Sequence, residues 1–256
     1  MANNLNIEVS SLSRVEGHGD LIINVKDKKI EKLMFRIPES PRFFEAMLVG
    51  RKYDEPSHIT SRICGICSVA HTCASIKATE KALGIKPSEQ TINLRKLIYH
   101  HENVQSNVLH VYFLAAPDFF GVGSVIPLVE THLEVVNIAL RTKKMANDIV
   151  RIIGGRAVHP IRTVIGGFTK LPTEEEMIKM KEILQASYPD LEKSLEILRT
   201  LKIPEFERKT EYISISDTSD YALYDGNIKS TDGWEIDDQD YLDKMKEKVV
   251  KYSTAK

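Results

Sequence analysis

Cysteine is scarce in this chain: three residues in 256. So few thiols cannot form a disulfide framework, and a reducing compartment is expected. Like charges never cluster, and the formal net charge is only -1. A nucleic-acid partner, which would need a basic face, is therefore not expected. The opening Met1-Ala2-Asn3-Asn4 lacks the charged and apolar regions of a signal peptide, so no leader is expected. No apolar run is long enough to span a bilayer. Val108 to Val129 carries a single acid, Asp118, but Pro117, Gly121, Gly123 and Pro127 break its middle, where unsatisfied backbone would be costly in lipid. Neither glycine pair, Gly154-Gly155 or Gly166-Gly167, has the spacing of a nucleotide loop, and no internal repeat is present.

What is present is an ordinary globular composition, 42% apolar, enough for one sizeable core or two modest ones. Leu5 to Ser10, Gly19 to Lys26 and Ile30 to Ile37 read as strands, with a polar turn at Asp27-Lys28-Lys29. Arg42 to Val49 reads as a helix turning Phe43, Phe44, Met47 and Leu48 inward. A helix is expected from an N-cap at Ser57 through Leu83 to Gly84, and long helices over Ser88 to Ala115 and Pro127 to Ile153. Gly154-Gly155-Arg156 closes the last of these at its C-cap. Thr173, followed by three glutamates, starts a helix that Pro189 is expected to interrupt before Asp190 to Leu201. Short strands follow at Glu211 to Ser216, Tyr221 to Tyr224 and Asn227 to Lys229, with a tight turn at Asp225-Gly226. An amphipathic helix is expected over Leu242 to Tyr252. The fold class is thus α+β: a small N-terminal antiparallel sheet over 1–40, a helical core over 41–203, and a second small β region with a final helix over 204–256.

The chemistry-bearing stretch is Ser61-Arg62-Ile63-Cys64-Gly65-Ile66-Cys67-Ser68-Val69-Ala70-His71-Thr72-Cys73. Cys64 and Cys67 are three positions apart with a glycine between, so both sulfurs can meet at one soft metal or in one disulfide. Arg62 adjoins the pair and His71 lies one turn beyond. A lone CxxC is also the mark of a zinc half-site or a redox pair. Cys64, Cys67, His71 and Cys73 together would supply four zinc ligands, although structural zinc sites draw theirs from separated segments. No alternating strand-helix pattern leads into the motif, which weakens the redox reading.

With its flanks, Arg62-Ile63-Cys64-Gly65-Ile66-Cys67 and His71 resembles the N-terminal RxCGxCxxxH motif of the large subunit of nickel–iron hydrogenases. Four further blocks are similar in the same order: Ser13-Arg14-Val15-Glu16-Gly17-His18-Gly19; Arg42-Phe43-Phe44-Glu45 with Gly50-Arg51; Pro117-Asp118-Phe119-Phe120; and Gly154-Gly155-Arg156 with His159-Pro160. The likeness runs from residue 5 to the end and is nearest the cytoplasmic, cofactor-coupled members. It implies that Cys64 is a terminal nickel thiolate and that Cys67 bridges nickel and iron. It further implies that His71 donates to the bridging sulfur, with Arg62 beside the cofactor. Glu16 would relay protons, a task suited to a carboxylate near a thiolate. Glu45 would bind magnesium, a hard cation for an oxygen donor. On the helix over Ser88 to Ala115, His110 and Asn107, where relatives often carry histidines, would face the metals. A solvated face with one or two core histidines explains the same pattern.

The family closes with a second motif, D-P-C-x-x-C, and this sequence has no cysteine after Cys73. Four thiolates hold the family's centre, with diatomic ligands on iron, so the other two are expected from a longer chain or a separate polypeptide. The resemblance implies reversible oxidation of dihydrogen, with electrons leaving through the iron–sulfur clusters of a small subunit toward diaphorase-type subunits; this chain has too few cysteines for such a cluster of its own. The competing expectations are a zinc-binding interaction module and a non-catalytic, hydrogenase-like scaffold or assembly subunit.

Overall fold

Strand β1 (Leu5–Val9), β2 (Asp20–Lys26) and β3 (Lys29–Arg36) pair antiparallel in the order β1-β2-β3 in the structure, a computed structural model that describes residues 4–255. The opening Met1-Ala2-Asn3, where no leader is expected, lies outside the described residues. Asp27 and Lys28, with φ of 48° and 62°, form the two-residue turn between β2 and β3, the left-handed pair that matches the twist of a hairpin. Asp20 closes the loop between β1 and β2: its carboxylate accepts from Ser11 N at 3.0 Å and from Arg36 Nε at 2.9 Å. After Pro38, α1 (Pro41–Leu48) begins with proline at its first turn, where the missing N–H costs nothing. Phe43 does not turn inward as expected but is exposed, because α1 buries no residue fully.

The C-terminal segment joins this same unit. Thr254 N donates to Ile37 O at 3.1 Å, and Ser253 Oγ accepts from Ile37 N at 3.2 Å. The chain therefore divides into two compact units, one described over residues 4–50 and 245–255, the other over 51–244. The helix expected over Leu242 to Tyr252 is a single turn, α9 (Tyr241–Lys244). Residues beyond it have left the helical unit, so their apolar stripe has no helix to pack on.

In the second unit, α2 (Pro56–Thr60) and α3 (Ser68–Leu83) are separate helices rather than one. Pro56 takes the first position of α2, so the start precedes the expected cap at Ser57. The chain leaves α2 after Thr60 through tighter bonds, Arg62 N to Ile59 O and Ile63 N to Thr60 O, each at 3.0 Å, and Cys67 N–H then meets the Cys64 sulfur. Helix α3 ends as expected at Gly84, φ 67°. Helix α4 (Glu89–Val108) is capped by Ser88, whose side chain accepts from Thr91 N at 3.2 Å. It runs into a wider π-helix at Leu109–Ala115, just before Pro117 of α5 (Ala116–Phe119); the proline ring cannot accommodate an ordinary turn behind it. The next expected helix is broken at His132 into α6 (Leu128–Thr131) and α7 (Leu133–Gly154), which ends at Gly155 with φ 81°. A short hairpin, β4 (Thr163–Val164) with β5 (Gly167–Phe168), leads to α8 (Glu174–Thr200). Thr173 and Glu176 form a reciprocal capping box at its start. Pro189 does not interrupt α8, whose turns on either side are held by packing on α7. Finally β6 (Ile213–Ser216), β7 (Asn227–Ser230) and β8 (Glu235–Ile236) pair antiparallel in that order. The strand expected at Tyr221 to Tyr224 is instead irregular, since Tyr224 is drawn into the core, where its hydroxyl accepts from Arg95 at 3.0 Å.

The core of this unit lies between α3, α4 and α7. Val69, Ile98, Ile149, Val150 and Ile153 have no exposed surface, and Met180 of α8 closes one side. A buried pair crosses it, with Arg95 gripping Glu80 by two bonds of 2.9 and 2.7 Å. The architecture is α+β, with small antiparallel sheets at either end of the sequence and long helices between. Among the described residues no helix is long and apolar enough to cross a membrane.

Candidate metal centre

The cysteine motif occupies the loop between α2 and α3. Cys67 is the N-cap residue of α3, and its backbone N–H donates to Cys64 Sγ at 3.4 Å. This bond folds residues 64–67 into a knuckle with both thiols on one short turn, each half-buried. His71 follows one turn into α3, its N–H bonded to Cys67 O at 3.2 Å. Burial lowers the His71 pKa, which favours the neutral ring. Arg62 lies on the exposed rim of the loop.

The loop is fixed from two sides. From α4, Gln105 Nε2 donates to Ile66 O at 2.8 Å, and Lys143 Nζ of α7 holds the same amide through its oxygen at 2.7 Å. Also from α4, Glu102 accepts from Val69 N at 2.6 Å and Ala70 N at 2.8 Å. Burial pushes the Glu102 carboxyl up to about 7, although those two N–H groups pull the other way. From the segment after α7, His159, at φ 54°, donates its N–H to Ser68 Oγ at 2.9 Å and sets its ring Nδ1 2.8 Å from Ser61 O.

Cys73 takes no part. It is buried in the core, and burial pushes its thiol up to about 12. Among the described residues no group of three or more His, Cys, Asp or Glu is placed to hold a metal ion, so the four-ligand zinc set of Cys64, Cys67, His71 and Cys73 is not assembled. The two knuckle sulfurs fit one side of a soft-metal site and leave the other to be supplied. Glu16 lies in the loop between β1 and β2, and Glu45 in α1; both are exposed and both belong to the N-terminal unit. On α4, His101 is a satisfied core histidine whose Nδ1 meets Leu97 O at 2.7 Å, whereas Asn107 is exposed, as is His110 in the π-helix beyond.

Glu102 and Gln105 were not singled out by sequence reasoning. The signal was there: Leu94, Ile98, Glu102 and Gln105 follow one another along the buried stripe of α4. Two polar residues in an apolar register mark a partner that needs them.

The fold is a helical domain in which neighbouring helices brace a loop that carries two cysteines. Residues 42–132 match the family model described as nickel-dependent hydrogenase. Across 98% of its length it is 36% identical to the alpha subunit of sulfhydrogenase 1 from Pyrococcus furiosus and 30% identical to a component of the vhu F420-non-reducing hydrogenase from Methanocaldococcus jannaschii, covering 59% and 64% of those proteins. Among solved structures, that of an NAD+-reducing [NiFe]-hydrogenase in the H2-reduced state superposes with a TM-score of 0.87 at 25% identity, over 99% of this chain and 61% of that one. The chain thus spans about three fifths of the length of these relatives and matches their N-terminal part.

Proposed function

We propose that this chain is the large-subunit component of a nickel–iron hydrogenase in which Cys64 and Cys67 hold one side of the metal centre and protein outside this sequence supplies the thiolates of the other. The observation that supports the reading is the Cys67 N–H bond to Cys64 Sγ at 3.4 Å, which sets the Cys64 sulfur against the backbone of Cys67 in a chain whose relatives are hydrogenase subunits. When bound, such a centre polarises dihydrogen for cleavage into protons and electrons. The chain's own task is to present two deprotonated sulfurs, with a neutral His71 one turn away as a hydrogen-bond donor and Arg62 on the rim. The reading also gives proton transfer to Glu16 and a magnesium ligand role to Glu45, each on the resemblance of its segment. The iron would carry diatomic ligands, and the electrons would leave through the iron–sulfur clusters of a small subunit toward diaphorase-type subunits. The reducing cytoplasm is the compartment in which three thiols outside any disulfide persist.

A second reading, a non-catalytic scaffold subunit, is favoured by the lack of a third metal-binding side chain near the knuckle among the described residues. Elemental analysis of the native complex separates the two. Nickel and iron together with a polypeptide bearing D-P-C-x-x-C support the enzyme; their absence supports the scaffold, and zinc alone an interaction module. In the complex, Cys64→Ser or Cys67→Ser should abolish hydrogen-dependent dye reduction, and unchanged activity would reject the assignment.

A further inference from the structure

An N-cap residue ordinarily turns its side chain back to accept the free N–H groups of the first helical turn. Cys67 is the N-cap of α3 and makes no such bond. The donors it would otherwise engage, Val69 N and Ala70 N, are taken by Glu102 from α4, at 2.6 and 2.8 Å. Glu102 is only 4% exposed, and its oxygen also meets Ser68 Oγ at 3.4 Å. We propose that Glu102 is a positioning residue that caps α3 in place of Cys67, thereby releasing the Cys67 sulfur from capping and leaving it aimed at a metal. The inference rests on the reading of Cys64 and Cys67 as metal thiolates.

The remaining contacts agree with this role. Gln105 lies one turn beyond Glu102 on the same face of α4 and holds Ile66 O. His159 ties Ser61 and Ser68. The loop is thus tied to α4 and to the segment after α7 through backbone groups and Ser68 Oγ, and none of these ties uses a cysteine side chain. Without Glu102, two N–H groups at a buried helix start would lack an acceptor, and the side chain at the N-cap position, which ordinarily turns toward them, is that of Cys67. A sulfur that caps the helix no longer faces a metal.

The test is cobalt(II) titration of the full chain under anaerobic, reducing conditions, read by thiolate-to-metal charge-transfer absorption, with urea unfolding of the same samples. Glu102→Ala should weaken cobalt binding tenfold or more. Glu102→Gln, which keeps an acceptor oxygen without the charge, should stay within about threefold of the parent, and Glu102→Asp, which keeps the charge but falls short of the N–H groups, should resemble Glu102→Ala. The opposite order, Asp near the parent and Gln near Ala, would assign the effect to charge and overturn the proposal. Unchanged cobalt affinity in a folded Glu102→Ala chain, with only the urea midpoint lowered, would make Glu102 a plain stabilising cap and overturn it too. If Glu102→Ala does not fold, the contrast between Gln and Asp decides alone. A parent chain whose cobalt signal survives Cys64→Ser with Cys67→Ser would instead overturn the metal-site reading and the proposal with it.

Discussion

The helical core and the N-terminal sheet use the same binary logic with opposite results. On α3, α4 and α7 the apolar stripes meet one another, and Ile76, Ile98, Ile149 and Ile153 have no exposed surface. On the sheet, Leu5, Ile7 and Val9 of β1, Leu21, Ile23 and Val25 of β2, and Ile30, Leu33 and Phe35 of β3 share one face in register. That face stays open: Ile30 is 62% and Leu33 61% exposed. A contiguous uncovered apolar face is uncommon on a free-standing protein. The comparison teaches that apolar patterning declares which surface should be covered, whereas only the tertiary structure says whether the cover is within the chain. In the core it is, and the cysteine knuckle rests on that finished part.

The contrast can be broken by mutation. The largest effect is expected at the buried pair: Glu80→Ala strands Arg95, whose side chain is fully buried, and should cost about 3–5 kcal/mol in urea unfolding. A loss below about 1 kcal/mol would show that the pair is not buried in solution. Next, Ile149→Ala opens a cavity among α3, α4 and α7 and should cost about 3 kcal/mol by the same measurement.

A third prediction concerns pH. Glu102, pushed up to about 7 in the folded chain, binds a proton there more readily than in the unfolded chain, where its ordinary value is 4.5. The folded state therefore holds more protons between those values, and its stability should fall as pH rises from about 4.5 through about 7. The expected drop is about 1–3 kcal/mol, absent from Glu102→Gln; a flat profile in the parent chain would contradict it. The smallest effect belongs to the sheet. Leu33→Ala on the open face should cost less than about 1 kcal/mol in unfolding of the isolated chain, because little buried area is lost. A loss near that of Ile149→Ala would mean the face is covered after all and would dissolve the comparison.

Much of the framework was legible from residue patterns. The three N-terminal strands, the caps at Thr173, Gly84 and Gly155, and the core stripes of α4 and α7 follow from period, capping chemistry and left-handed glycines. The misses have common causes. Between α2 and α3 the chain runs through a loop in which Cys67 N–H meets a sulfur and Gln105 and His159 hold backbone oxygens, contacts that helical spacing cannot register. The continuity of α8 through Pro189 and the irregular path at Tyr221–Tyr224 come from packing against distant elements, α7 in one case and Arg95 in the other. The short α9 has the same origin, since residues after it join the sheet unit through Thr254 and Ile37.

The amino-acid order by itself determined that two thiols lie three residues apart, because that spacing is local and covalent, whereas their place at the head of α3 did not follow from it. Tertiary structure alone decided what holds them there: Glu102, Gln105 and His159 come from 32 to 98 residues away and converge on one loop. A hydrogen bond depends on distance and angle in space, and chain folding, not sequence separation, sets both.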